Sequence, residues 1–221
     1  MSKSKGNVID PLDIVDDYGA DTLRTYVLFM GDYGVATPWN DSSVKGCKRF
    51  LERVAALTEI ITEEAASPSL ETKIHQTIKK VGNDIETLKF NTAIASLMAL
   101  LNEISSEGHI SKENLGIFLK LLCPFAPHLA EEVWEDIGGQ GLLSTSAWPV
   151  YDEAKTVEAT VEIGVQVNGR VKGTITIPRD CDKDTALATA KADPRIAKAI
   201  GDKPIRKEIY VPNKIVNIVA K

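Results

Sequence analysis

Apolar residues recur at intervals of three and four as far as Ile137 and at every second position in much of the remaining chain, so the sequence reads as helices succeeded by strands. Asp10 and Pro11 form an N-cap and first-turn pair for a short helix containing Leu12, Ile14 and Val15 and ending near Gly19. Asp21 is placed to cap a second helix, Thr22 to Met30, with Leu23, Tyr26, Val27 and Met30 on one face. Gly31 to Pro38 reads as a loop. From Asp41 to about Ala66 the positions Val44, Cys47, Leu51, Val54, Leu57 and Ile61 predict one long amphipathic helix. Ser67-Pro68 restarts the chain, and helices follow over Pro68 to Leu88, about Asn91 to Ser105, Ser111 to Cys123 and Pro127 to Ile137. Leu97, Leu100, Leu101, Leu119, Leu121, Leu122 and Trp134 are candidate core residues of this bundle.

After Gly138-Gly139 the pattern weakens through Trp148-Pro149 to Lys155. Val161, Ile163, Val165 and Val167 then alternate with polar or small residues, Asn168-Gly169 is a two-residue hairpin turn, and Val171 to Ile177 alternates again. Asp182 or Asp184 caps a helix to about Ala192, Asp193-Pro194 starts a further helical turn, and strands Ile205 to Val211 and Ile215 to Val219 flank a Pro212-Asn213 turn. The expectation is a mainly α chain: a helical bundle, then a small α+β domain of β-β-α-β-β order. The divisions fall at 1–38, a bundle over 39–143, a linker over 144–156 with few apolar residues, and the small domain over 157–221.

Of the 221 residues 43% are hydrophobic and 26% charged, ordinary globular composition with length for one large or two small domains. No run approaches about 18 apolar residues and the first positions lack the apolar stretch of a signal peptide, so a cytoplasmic protein with no membrane contact is expected. Cys47, Cys123 and Cys181 are far apart, which argues against a disulfide framework and a zinc site. His75, His109 and His128 are scattered and read as structural. Residues 1–150 carry 13 Lys and Arg against 21 Asp and Glu, while 151–221 carry 13 against 10, so the tail is the better match for an anionic partner. Lys45, Lys48, Arg49 and Arg53 form a basic stripe at helical spacings within the acidic part, and Arg170, Lys172, Arg206 and Lys207 lie near turns in the tail. Each set is either a solvated surface or a contact for nucleic-acid phosphates.

Ser2-Lys3-Ser4-Lys5-Gly6-Asn7 lacks the glycine spacing of a P-loop. With its continuation to Pro11, however, it resembles the Lys-Met-Ser-Lys-Ser signature of class I aminoacyl-tRNA synthetases, without that signature's first lysine. The resemblance continues through Tyr18-Gly19-Ala20-Asp21-Thr22-Leu23-Arg24, Trp39-Asn40-Asp41, Lys89-Phe90-Asn91-Thr92-Ala93-Ile94-Ala95 and Pro124-Phe125-Ala126-Pro127-His128-Leu129-Ala130-Glu131-Glu132. In the tail, Val165 to Gly173 and Ile209 to Val219 resemble the C-terminal domain of bacterial-type leucyl-tRNA synthetases.

The resemblance implies a bundle of the class I synthetase anticodon-binding type. It implies a C-terminal portion of a ligase that joins leucine to its tRNA through leucyl-adenylate, using ATP with Mg2+ in the full-length enzyme. Leucine and the nucleotide fold belong to a catalytic domain upstream, so this portion is expected to be inactive alone and to supply no metal ligands. Ser2, Lys3 and Ser4 would form the ATP loop, Lys3 being the catalytic cation that meets charge growing on the phosphates as pyrophosphate leaves. Lys45, Lys48, Arg49, Arg53, Arg170, Lys172, Arg206 and Lys207 would contact the leucine tRNA. The alternatives are a free-standing tRNA-binding module and the same portion of a valyl- or isoleucyl-tRNA synthetase.

Overall fold

The computed structural model describes residues 8–31, 35–201 and 203–221, so positions 32–34 of the expected loop lie outside it. The chain forms two compact units, one reaching to Thr156 and the other Val157–Lys221.

The first unit contains helices α1 (Pro11–Tyr18), α2 (Ala20–Phe29), α3 (Asp41–Ala55), α4 (Pro68–Glu86), α5 (Phe90–Glu107), α6 (Lys112–Leu122) and α7 (Pro127–Asp136). Helix α5 lies at the centre: Ala93, Ile94, Leu97, Leu100, Leu101 and Ile104 are all fully buried, packed with Val81, Ile78, Phe118 and Leu119. A smaller cluster of Ile14, Tyr26, Val44 and Cys47 sits beneath α1 to α3. Side-chain caps from Asn40, Ser67 and Ser111 satisfy amides in the first turns of α3, α4 and α6.

Helix α3 ends eleven residues short of the expected Ala66. A 3-10 turn over Ala56–Ile60 follows, and then strand β1 (Ile61–Thr62) pairs in parallel with β2 (Ile110–Ser111). The β-branched side chains of Thr58, Ile60, Ile61 and Thr62 lose freedom in a helix and suit a strand, and the pairing of Ile61 with Ile110 decides the outcome.

Residues 144–156 carry more contacts than a loose linker. Glu131 accepts hydrogen bonds from the amides of Leu143 and Ser144, both at 2.8 Å. A row along α4 then holds the segment. The Asp152 amide donates to His75 Nδ1 at 3.0 Å, Lys155 pairs with Glu71 and Lys79 with Glu153 at 2.6 Å each, and Gln76 donates to the Thr156 carbonyl at 2.9 Å. The Trp148 indole lies beside Gly82 of the same helix. The sequence shows these as scattered polar residues because each partner lies 74 to 84 positions away.

The second unit orders its strands β4 (Arg170–Pro178), β3 (Thr160–Val167), β6 (Ile215–Ala220) and β5 (Ile205–Val211), with the central pair parallel and both outer pairs antiparallel. Two helices, α8 (Lys183–Ala192) and α9 (Pro194–Ile200), separate the hairpins, so the order is β-β-α-α-β-β. Ile163, Val165, Ile177, Val216 and Ile218 pack against Ala186, Ala190 and Ile196. Asn168 and Gly169 both have positive φ, 55° and 75°, as a type I′ turn requires. The Asn168 amide does more than turn the chain. Its Nδ2 donates to the Ala220 carbonyl at 2.8 Å and its Oδ1 accepts from the Ala220 amide at 3.0 Å, tying the first hairpin to the last strand.

Candidate functional site

Ser2, Lys3 and Ser4 lie outside the described residues, which begin at Val8. Asp10 caps α1 by accepting from the Leu12 amide at 2.9 Å. Gly19, at φ 89°, closes α1 and lets α2 begin at the next residue.

The sequence places Asp21 as the cap of its own helix; the structure directs it elsewhere. Its Oδ2 accepts from the Leu129 amide at 2.7 Å, and its Oδ1 accepts from His128 Nδ1 at 2.8 Å. One turn on, Arg24 donates through Nε and Nη2 to the Pro124 carbonyl at 3.3 and 3.0 Å. Helix α7 explains the arrangement. Its N-cap, Ala126, has no side-chain oxygen and its first residue is proline, so a first-turn amide is met from outside. A carboxylate there also faces the positive end of the helix dipole.

The other motif segments are joints of the same kind. Tyr26 is buried, accepts from the Asn40 amide at 2.9 Å and meets the Trp39 ring edge-on with centroids 4.7 Å apart. The Trp39 indole donates to Asp41 at 2.7 Å. Phe90 meets Phe125 edge-on at 6.2 Å, bringing the start of α5 to the corner between α6 and α7. Thr92 donates to the buried carboxylate of Asp84 at 2.7 Å, which also pairs with Lys80. Burial pushes the Glu131 carboxyl up, but its hydrogen bonds from Ser144 and Leu143 outweigh this and hold it below its ordinary value.

The basic stripe of α3 divides. Lys48 donates to the Asp17 carbonyl at 3.5 Å and lies over the Tyr18 ring, while Arg53 donates to Asn102 and Ser105 of α5 at 3.0 and 3.1 Å. These two cations are engaged within the fold. Lys45 and Arg49, the other two members of the stripe, are exposed and have no ion pair among the described residues. In the second unit the four expected cations do not form one patch. Arg170 and Lys172 lie on edge strand β4, Arg206 and Lys207 on the opposite edge strand β5. All four are exposed, and Lys172 and Arg206 fall where the pairing register shifts.

Sequence reasoning passed over a groove of about 700 Å³ between α4 and α5, lined by the side chains of Lys73, Gln76, Lys80, Asn83, Thr92 and Ser96. The signal was available in the polar positions of α4 at spacings of three and four. Burial raises the Cys47 thiol to about 11 and also pushes Cys123 up, so neither is a ready nucleophile. Among the described residues no group of three or more His, Cys, Asp or Glu is arranged to hold a metal, and no helix is long and apolar enough to cross a membrane.

Comparison with known proteins gives this geometry its context. Residues 69–187 match the family described as the anticodon-binding domain of tRNA ligase. The chain belongs to that family. Residues 1–40 match a second family, tRNA synthetases class I (I, L, M and V). Over its whole length it is 49% identical to a leucine–tRNA ligase of Alkaliphilus oremlandii (strain OhILAs) and 44% identical to that of Bdellovibrio bacteriovorus (strain ATCC 15356 / DSM 50701 / NCIMB 9529 / HD100). It spans 28% of the length of each. A similar solved structure is the ternary complex of Agrobacterium radiobacter K84 agnB2 LeuRS with tRNA and LeuAMS. That structure is 31% identical with a TM-score of 0.74, and the match covers 100% of this chain and 31% of the other.

Proposed function

We propose that this chain is the C-terminal portion of a bacterial-type leucyl-tRNA synthetase. The whole enzyme condenses leucine with ATP to leucyl-adenylate and pyrophosphate, then transfers the leucyl group to a terminal ribose hydroxyl of leucine tRNA and releases AMP. Residues 1–38 supply the ATP loop and its helical support, 39–143 with the strap to Thr156 form a tRNA-holding bundle, and 157–221 form a second tRNA-holding unit. The observation that carries this reading is the match to leucine–tRNA ligases along the entire chain, tail included, at 49% and 44% identity. The tail match favours leucine over valine or isoleucine.

Lys3 is the catalytic cation of this portion, and Ser2 and Ser4 hold its loop. Lys45, Arg49, Arg170, Lys172, Arg206 and Lys207 meet tRNA phosphates, while Lys48 and Arg53 serve chiefly to fix α3. In the full-length enzyme, Lys3→Ala lowers leucine-dependent ATP–pyrophosphate exchange by roughly 10²–10³, the loss typical of one preorganised charge donor to the transition state. A change below about threefold removes Lys3 from that role. This chain alone, with one loop of the active site, catalyses no such exchange; leucine-specific exchange by the isolated chain contradicts the reading.

A further inference from the structure

Two stretches that the sequence marks separately, Tyr18 to Arg24 and Pro124 to Glu132, meet in space through Asp21 and Arg24. The two side chains stand one turn apart on α2, grip both ends of the connection between α6 and α7, and reach across 100 or more positions of sequence. Asp21 is only 12% exposed and its bond to the Leu129 amide is partly buried, while His128 covers it from the solvent side. The connection contains Pro124 and leads into Pro127, the first residue of α7; neither supplies an amide donor, and both stiffen the corner. The gripped object is therefore rigid, and α2 is fixed to it by four hydrogen bonds. Only α1 and the Gly19 corner separate this grip from the residues read as the ATP loop.

We propose that Asp21 and Arg24 are positioning residues that register the ATP-loop segment against the bundle, so that Lys3 is presented at the correct place for activation. The inference rests on the role given to Lys3 above. Misplacing a catalytic group by about 1 Å costs up to roughly 10²-fold in rate without loss of the group itself.

The test uses the full-length enzyme with Asp21→Ala, Asp21→Asn, Arg24→Met and the control Lys3→Ala. The readouts are leucine-dependent exchange, resolved into kcat and KM for leucine, together with thermal unfolding. Asp21→Ala lowers kcat of exchange by roughly 10-fold or more with KM for leucine unchanged and melting within a few degrees of the parent. Asp21→Asn restores most of the rate, because its carbonyl still accepts from the Leu129 amide. Arg24→Met leaves the Asp21 cap in place and gives a smaller loss in the same direction, which keeps the test valid if Asp21→Ala does not fold. Exchange within about twofold of the parent in both Asp21→Ala and Arg24→Met, while Lys3→Ala is impaired, overturns the positioning role alone. A loss that tracks melting temperature, or that Asp21→Asn does not rescue, overturns it as well. An unimpaired Lys3→Ala enzyme removes the reading of the loop and this proposal with it.

Discussion

The two units are joined internally by different chemistry. In the helical unit the joints are charged and long-range: Asp21 caps a helix 108 positions away, Glu131 holds two strap amides, and Arg53 reaches from α3 to α5. In the sheet unit the joints are made by the amide side chains of turn asparagines. Asn168 clasps Ala220, and Asn213, at φ 57°, exchanges hydrogen bonds with Asp180 at 2.9 and 2.6 Å. The difference follows from what each element leaves unsatisfied. Helix N-termini expose several amides in one direction and attract a carboxylate, whereas strand ends expose one donor beside one acceptor and suit an amide side chain. Both units hold engaged and free cations: Lys48 and Arg53 are drawn into the helical unit and Lys191 and Arg195 into the sheet unit, while Lys45, Arg49, Arg170, Lys172, Arg206 and Lys207 stay exposed.

The largest expected effect on stability comes from breaking an asparagine joint. Asn168→Ala removes both bonds to Ala220 and places alanine at positive φ, at a cost of about 2 kcal/mol in denaturant unfolding followed on the sheet unit. A change within about 0.5 kcal/mol shows that neither the clasp nor the turn residue contributes appreciably.

Removal of free cations gives a smaller effect, in binding rather than stability. Lys45→Ala and Arg49→Ala each reduce the log-log salt slope of tRNA binding by about 0.7 to 0.9. Lys48→Ala and Arg53→Ala change the slope less and act on the anchoring of α3. Equal slope changes in all four variants erase the distinction between engaged and free cations.

The smallest effect is acid-dependent. The hydrogen bond from the Arg195 side chain holds the Asp193 carboxyl at about 2, below its ordinary 3.8, and Asp193 also caps α9. A carboxyl depressed in the fold contributes stability above its unfolded value and loses it as pH falls through the folded value. The α9 signals in an NMR titration therefore weaken between about pH 4 and pH 2. Asp193→Asn, which keeps a capping oxygen, flattens that dependence and lowers the melting temperature by no more than a few degrees. An unchanged acid profile in the variant assigns the loss to other groups.

Periodicity alone makes most of this fold legible. The bundle helices, their Ser67 and Ser111 caps and the Asn168-Gly169 hairpin all depend on neighbours within four residues, and local pattern is sufficient for these. The end of α3, the true partner of Asp21 and the docking of the strap along α4 depend on residues 49 to 108 positions away, and single-chain pattern carries no record of such pairs. The candidate site divides similarly. The resemblance singles out Asp21, Arg24, Phe90 and Glu131 as belonging to shared motifs, while their work as joints emerges only when Pro124, Phe125, Leu129 and Ser144 are placed beside them.

The central claim, that this portion holds tRNA while chemistry is completed elsewhere, is tested by truncating the full-length enzyme after Thr156 and measuring two activities side by side. Cutting there keeps the strap and its bonds to α4 and removes only the sheet unit with its exposed cations. Leucine-dependent pyrophosphate exchange precedes any need for tRNA and should survive, while aminoacylation of leucine tRNA should fall by an order of magnitude or more, about the loss of several phosphate contacts. Equal loss of both activities would make the sheet unit a support for the fold, and unchanged aminoacylation would contradict a tRNA-holding role for it.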